Sequence, residues 1–207
     1  QKADVYVINT CSVTNMADRK SRQMLHKAKK NNPDSIVVAA GCYVQTSEKE
    51  VLNDLSVDIV IGNDRKHDLV RLLEEYSLDS VNDTVDDIND GKHDFEELFI
   101  DQTKEHTRAF IKVQDGCNQF CSYCIIPKIR GHFRSVPMEE LLNEAKRLAS
   151  EGVKELVLVA QETTLYGKDL TGEKQLPLLL HELCKIEGIE WIRLLYCYPE
   201  EITDELI

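Results

Sequence analysis

Three cysteines stand close together in the middle of the chain. The segment reads Asp115-Gly116-Cys117-Asn118-Gln119-Phe120-Cys121-Ser122-Tyr123-Cys124, a C-x3-C-x2-C spacing. Three thiols on one short loop form a soft donor set, suited to an iron–sulfur cluster or to zinc. Structural zinc takes four ligands, usually from paired C-x2-C knuckles. No fourth Cys or His follows at a suitable distance. Three thiolates on a four-iron cluster leave one iron open to a small molecule. A zinc loop and a plain electron-transfer cluster stay open as alternatives.

Two further cysteines each close an apolar run. Cys11 follows Val5-Tyr6-Val7-Ile8-Asn9-Thr10, and Cys42 follows Ile36-Val37-Val38-Ala39-Ala40-Gly41. Parallel neighbouring strands finish on one sheet edge, where α/β folds bind ligands. Strands about 4.8 Å apart would let both thiols reach one cluster. Two ordinary buried cysteines would look the same at this level. Cys184, in a helical pattern, reads as core packing, and Cys197 stands near the end of a later strand. Seven cysteines, an odd number, with no export signal point to metal binding or catalysis in the cytoplasm rather than to disulfides.

The elements that must position these residues follow from the hydrophobic pattern. Apolar runs at 5–8, 36–40 and 57–61 read as strands. Helical patterns lie at 16–30, near 47–55 and near 65–76, the first stopped by Asn31-Asn32-Pro33. This β-α-β-α-β-α order predicts a parallel sheet covered by helices. The alternation resumes with strands at 109–113, 156–160 and 191–196. Helices are expected from Pro137 to Gly152, at 175–187 and from about Glu200. That is the opening of a βα series that curls into a barrel, whose active sites lie at the carboxyl ends of the strands.

The fold class is therefore α/β: an N-terminal parallel-sheet, three-layer domain over 1–80, then an acidic linker over 81–105 holding at most one short strand. The first part of a partial (βα) barrel follows over 106–207. Gln1-Lys2-Ala3-Asp4 leads straight into an apolar run, and Glu205-Leu206-Ile207 falls within a helical pattern. The sequence reads as a stretch of a longer protein.

The net charge of −12 argues weakly against a nucleic-acid partner. Residues 74–101 carry eleven acidic residues and one lysine, −10 of that total. Elsewhere there are two basic clusters, Arg19, Lys20, Arg22, Lys27, Lys29 and Lys30, and Lys128, Arg130, His132 and Arg134. Each suits a solvated face as well as RNA contact. No apolar stretch approaches the 18 residues of a membrane span.

The cysteine loop, with an aromatic before its last cysteine, resembles the radical S-adenosylmethionine (SAM) superfamily. The wider motifs narrow the resemblance. Asn9-Thr10-Cys11-Ser12-Val13-Thr14, Ala40-Gly41-Cys42-Tyr43, and the segment from Asp115 through Cys124 to Ser135 closely resemble the methylthiotransferase family over essentially the whole chain. The resemblance implies two four-iron (4Fe–4S) clusters and SAM as cofactors. Cys117, Cys121 and Cys124 would hold the radical SAM cluster, whose electron cleaves SAM to a 5′-deoxyadenosyl radical. Cys11 and Cys42 would be two of three ligands to a second cluster, the third lying upstream. Tyr123 matches the aromatic that lies against the adenine. Glu162, in Gln161-Glu162-Thr163-Thr164, could hold the SAM ribose or amine. Arg130 and Arg134 could pair with the SAM carboxylate or a substrate phosphate.

The implied reaction turns an unreactive C–H into C–S–CH3, with electrons from a protein such as flavodoxin or ferredoxin. Two substrates are implied. Residues 1 to about 135 resemble the branch acting on N6-threonylcarbamoyladenosine in tRNA. From Pro137 the likeness is to the branch acting on an aspartate of ribosomal protein S12, in Gln161–Gly167 and Trp191–Pro199. A cluster-binding piece without catalysis is the alternative of another class.

Overall fold

The computed structural model describes residues 2–76, 82–86, 88 and 107–207. They form two compact units. One holds the described residues up to 88 together with Tyr123–Gly131. The other holds 107–122 and His132–Ile207.

The first unit is built on a four-stranded, all-parallel sheet, β1 (Val5–Thr10), β2 (Ile36–Gly41), β3 (Ile59–Ile61) and β4 (Asn82–Thr84), in that order. Central strands of such a sheet are covered on both faces and read as continuous apolar runs. That explains Ile36–Ala40 and Ile59–Ile61. Alternate residues of β2 point to opposite faces. Val37 and Ala39 pack with Leu25, Ala28, Tyr43 and Val44, while Val38 and Ala40 pack with Ile59, Ile61 and Leu72. The helix α1 (Asn15–Asn31) starts where the Thr14 hydroxyl accepts the Ala17 N–H at 3.1 Å, an N-cap. It buries Ser21, Leu25 and Ala28 on one face. Its basic run is partly consumed inside the unit. Lys29 donates to Asp58 and to the Ser35 carbonyl, and the Arg22 guanidinium lies 5.6 Å from the Tyr43 ring centre.

Two expectations need correction here, and a third falls mostly outside the described residues. The helix expected near 47–55 is shorter, α3 (Glu48–Leu52), and a further short helix, α2 (Cys42–Thr46), precedes it, the two parted by Ser47 at φ −130°. The next helix begins earlier, as a 3-10 turn over Asn63–Asp68 that runs into α4 (Leu69–Glu74). Of the segment read as an acidic linker, Asn82–Thr84 is the strand β4, and most of the rest lies outside the described residues.

In the second unit, β5 (Arg108–Lys112), β8 (Glu155–Val159) and β9 (Trp191–Leu194) form a parallel sheet in the order β5-β8-β9. Between them come a two-residue pair, β6 (Gln114–Asp115) with β7 (Arg134–Ser135), and α6 (Met138–Ser150). A short helix α5 (Ile126–Arg130) belongs with the first unit, against α2. After β8 come a 3-10 turn at Thr163–Leu165, α7 (Lys168–Thr171) and α8 (Leu176–Leu183). The core joins Leu141, Ala145 and Leu148 of α6, Leu176, Leu179 and Leu183 of α8, and Ala109, Ile111, Leu156 and Leu158 of the sheet. Each fully buried leucine contributes about 1.5–3 kcal/mol.

Here β9 stops at Leu194, short of Tyr196, which takes φ +61°. The helix expected from Glu200 is only a 3-10 turn, Pro199–Glu201. Cys184 is the C-cap of α8 and is exposed, not core. No helix among the described residues is long and apolar enough to cross a membrane.

Candidate functional site

The cysteine loop leaves β5 at the carboxyl end of its strand and is closed at its base by β6 and β7, with Gln114 opposite Ser135 and Asp115 opposite Arg134. Asp115 is 7% exposed. Its Oδ1 accepts the Gly116 N–H at 3.0 Å, and its Oδ2 lies 2.9 Å from Lys112 Nζ and 4.0 Å from an Arg134 nitrogen. A buried carboxylate with two cations fixes the start of the loop. Gly116 (φ +77°) and Phe120 (φ +47°) take left-handed backbone, which turns the chain on either side of Cys117. Asn118 Oδ1 accepts the Phe133 N–H at 3.2 Å and lies 3.1 Å from His132 Nδ1, drawing the two legs of the loop together. The Phe120 and His132 rings meet edge to face at 6.3 Å.

Cys117 and Cys121 are half-buried and Cys124 is exposed; Tyr123 is 93% exposed. Arg134 lies at the base of the loop, whereas Arg130, in the last turn of α5, belongs to the first unit.

On the first unit's sheet edge, Thr10 pairs in register with Gly41, so Cys11 and Cys42 leave the same rung of adjacent strands. The turn there is set by Gly41 at φ +100°. A Cβ on it would stand 2.7 Å from Asn9 Oδ1 and 2.8 Å from the Thr10 carbonyl. Cys11 is exposed, and its backbone N–H donates to Ser21 Oγ at 3.2 Å. Cys42 is buried, and the Asn63 amide approaches its sulfur to 3.7 Å.

Both sets of thiols match the soft donors of iron–sulfur clusters. An N–H directed at the Cys42 sulfur is the kind of neighbour that a ligating thiolate needs. Among the described residues no three Cys, His, Asp or Glu side chains converge as they would around one ion.

Glu162, which begins the turn after β8, is buried and spent partly on structure. Its Oε1 accepts from the Thr164 N–H at 3.0 Å, from the Thr164 hydroxyl and from the Tyr198 N–H at 3.3 Å. All three bonds converge on one oxygen, so Oε2 is not consumed by the cap. Burial, followed by the Glu162 charge, pushes the Cys197 thiol up from its ordinary value. Tyr166 is fully buried and donates to the Val136 carbonyl at 2.9 Å; Gly167 N–H donates to Ser135 Oγ at 3.0 Å. The turn after β8 is thereby bound to β7 and the residue that follows it.

Sequence reasoning missed Thr10 and Asn63. Thr10 Oγ1 donates to the Ala40 carbonyl at 2.6 Å and accepts the Tyr43 N–H at 3.2 Å. Asn63 follows β3 at the same edge as Cys11 and Cys42, and the strand-end rule applied to those cysteines would have pointed to it.

A parallel βα sheet with a three-cysteine loop after its first strand is the arrangement that the resemblance to radical SAM proteins leads one to expect. The family model described as the radical SAM superfamily matches residues 111–207, and an uncharacterized protein family, UPF0004, matches 1–62. The chain is 42% identical over 217 residues to the ribosomal protein uS12 methylthiotransferase RimO of Clostridium botulinum, across 100% of the chain and 47% of that protein. It is 44% identical over 207 residues to the threonylcarbamoyladenosine tRNA methylthiotransferase MtaB of Aquifex aeolicus, across 99% of the chain and 50% of that protein. The chain thus spans about half the length of these relatives. Among solved structures, the radical SAM methyltransferase TsrM of Kitasatospora setae shares the fold, with a TM-score of 0.63 at 14% identity over 98% of this chain and 45% of that one. The chain is thus similar over essentially its whole length to radical SAM methylthiotransferases.

Proposed function

We propose that the protein to which this chain belongs is a methylthiotransferase that inserts a methylthio group at carbon 2 of N6-threonylcarbamoyladenosine in tRNA. The observation that carries this reading is the pairing of two thiol sets. One lies on a loop after the first strand of a βα sheet, and the other lies on the in-register ends of two parallel strands. In this reading Cys117, Cys121 and Cys124 hold the radical SAM cluster, and Cys11 and Cys42 hold the second with a cysteine from outside the chain. The clusters and SAM supply the one-electron chemistry that an unreactive C–H demands, which no side chain can provide.

The remaining residues bind and orient. Tyr123 presents a ring to the adenine of SAM. Glu162 offers Oε2 to its amine or ribose hydroxyls, and Arg130 and Arg134 offer forked N–H donors to its carboxylate. A basic α1 and the Lys128–Arg134 segment suit a phosphate backbone. A flavodoxin or ferredoxin delivers electrons, and the reaction takes place in the cytoplasm.

A second reading, methylthiolation of an aspartate of ribosomal protein S12, is favoured by the 42% identity to the Clostridium botulinum protein. Mass spectrometry of tRNA and of S12 from a deletion strain decides between them. Loss of the methylthio mark from tRNA alone supports the proposal, and loss from S12 alone overturns it. Anaerobic reconstitution of the complete protein should give eight irons, dropping to four in Cys121→Ala; zinc in place of iron would refute both readings.

A further inference from the structure

Asn63 is 4% exposed and sits at the carboxyl end of β3. Its amide nitrogen donates to the Ile129 carbonyl at 2.6 Å and approaches the Cys42 sulfur to 3.7 Å. The orientation of the amide is fixed by the carbonyl, since a flipped amide would set oxygen against oxygen. Its Oδ1 is buried with no hydrogen-bond partner. An orphaned buried acceptor is destabilising, and an apolar side chain here would avoid that cost. The backbone is also pinned. Asn63 N–H donates to Gln45 Oε1 at 3.2 Å, and Gln45 Nε2 donates to the Asp86 carbonyl at 2.7 Å. Gln45 lies one turn after Cys42 in α2. One NH2 group therefore spans the Cys42 sulfur and the helix α5, which starts two residues after Cys124, all within the first unit.

We propose that Asn63 is a positioning residue that holds the Cys42 thiolate and α5 together through its two amide hydrogens, raising the reduction potential of the cluster that Cys42 ligates. The inference rests on the reading of Cys42 as a cluster ligand. An N–H dipole aimed at a ligating sulfur favours the more negative, reduced cluster, and hydrogen bonds to sulfur are among the factors that set cluster potentials. Leucine has nearly the volume of asparagine with neither donor. Aspartate keeps the shape and turns the donor into an acceptor.

The experiment uses the complete protein with Cys117, Cys121 and Cys124 replaced by alanine, so that the second cluster titrates alone. Its potential is followed by electron paramagnetic resonance with Asn63, Asn63→Leu and Asn63→Asp. Asn63→Leu should shift the redox equilibrium about tenfold toward the oxidised cluster, about 59 mV for one electron, and Asn63→Asp further. In the metal-free protein, amide hydrogen exchange over Ile126–Arg130 should quicken about tenfold in both variants. If Asn63→Leu does not fold, the isosteric Asn63→Asp decides both measurements. An unchanged potential with four irons bound, or unchanged exchange, overturns the proposal while leaving Cys42 a ligand. Failure of the parent to take up four irons overturns the ligand reading and the proposal with it.

Discussion

The Thr10 hydroxyl accepts the backbone N–H of Tyr43, so the neighbours of Cys11 and Cys42 are joined by a buried hydrogen bond of 3.2 Å. The same hydroxyl donates to the Ala40 carbonyl. One oxygen thus sets the spacing between two strand ends, each of which carries a thiol. Thr10→Val keeps the shape but leaves the Tyr43 N–H unsatisfied in a buried place. The expected cost is about 1–3 kcal/mol, read as a lower urea midpoint, together with a loss of iron from the second cluster. An unchanged midpoint would show that the strand ends are held elsewhere.

Gly41 is the sharper test of that edge. At φ +100° and ψ −154° it occupies backbone that side chains avoid, and a Cβ would overlap two neighbouring oxygens. Gly41→Ala should cost roughly 1–3 kcal/mol from backbone alone and more from the overlap. A thermal melt by circular dichroism reads this directly. Gly152→Ala has an open surrounding despite its φ of +94°, and so isolates the backbone share.

Glu162 separates structure from binding. Gln at this position retains an oxygen for the Thr164 and Tyr198 N–H groups, so Glu162→Gln should melt close to the parent. The charge that the proposed function assigns to SAM binding is lost. A hydrogen bond to a charged group is worth about 1.5–3 kcal/mol, so SAM affinity measured by equilibrium dialysis should fall by about tenfold or more. Equal affinity in the two proteins would remove Glu162 from the SAM site.

Tyr166 gives a pH dependence. Burial raises its phenol well above the ordinary value of 10.0. Above pH 10 the unfolded chain therefore ionises at this position while the folded chain does not. Its contribution to stability is complete below pH 10 and is lost as the pH rises further. Tyr166→Phe should flatten the fall of the urea midpoint above pH 10, although it lowers the midpoint at pH 7 by removing the bond to Val136. An identical alkaline slope in both proteins would assign the effect to other groups.

The parts legible in the sequence were those that depend on local pattern. Val37, Val38, Ile59 and Ile61 announce covered parallel strands, and Cys117, Cys121 and Cys124 fall, as expected, on a loop after the first strand of the second series. What failed depended on partners distant in sequence or on backbone detail. Asn63 is unremarkable until Ile129, 66 residues later, is set beside it. The bond from the Tyr198 N–H to Glu162, 36 residues apart, has no signal in the sequence. The short helix Cys42–Thr46 has too few residues to show a hydrophobic period. Cys184 has the period of a core residue but falls at the last turn, where α8 leaves the core.

The cysteine loop opens and closes on a ladder only two residues long on each side, and a ladder that short is marginal in water. Its closure depends on residues supplied from beyond β8: Tyr166 on Val136, Gly167 on Ser135, and Asp169 on the Ser135 N–H at 2.8 Å. The clasp and the loop it closes are thus separated in sequence by some thirty residues. The loop is therefore made before the segment that shuts it, and its closure belongs to the folding of the whole second unit rather than to the loop itself.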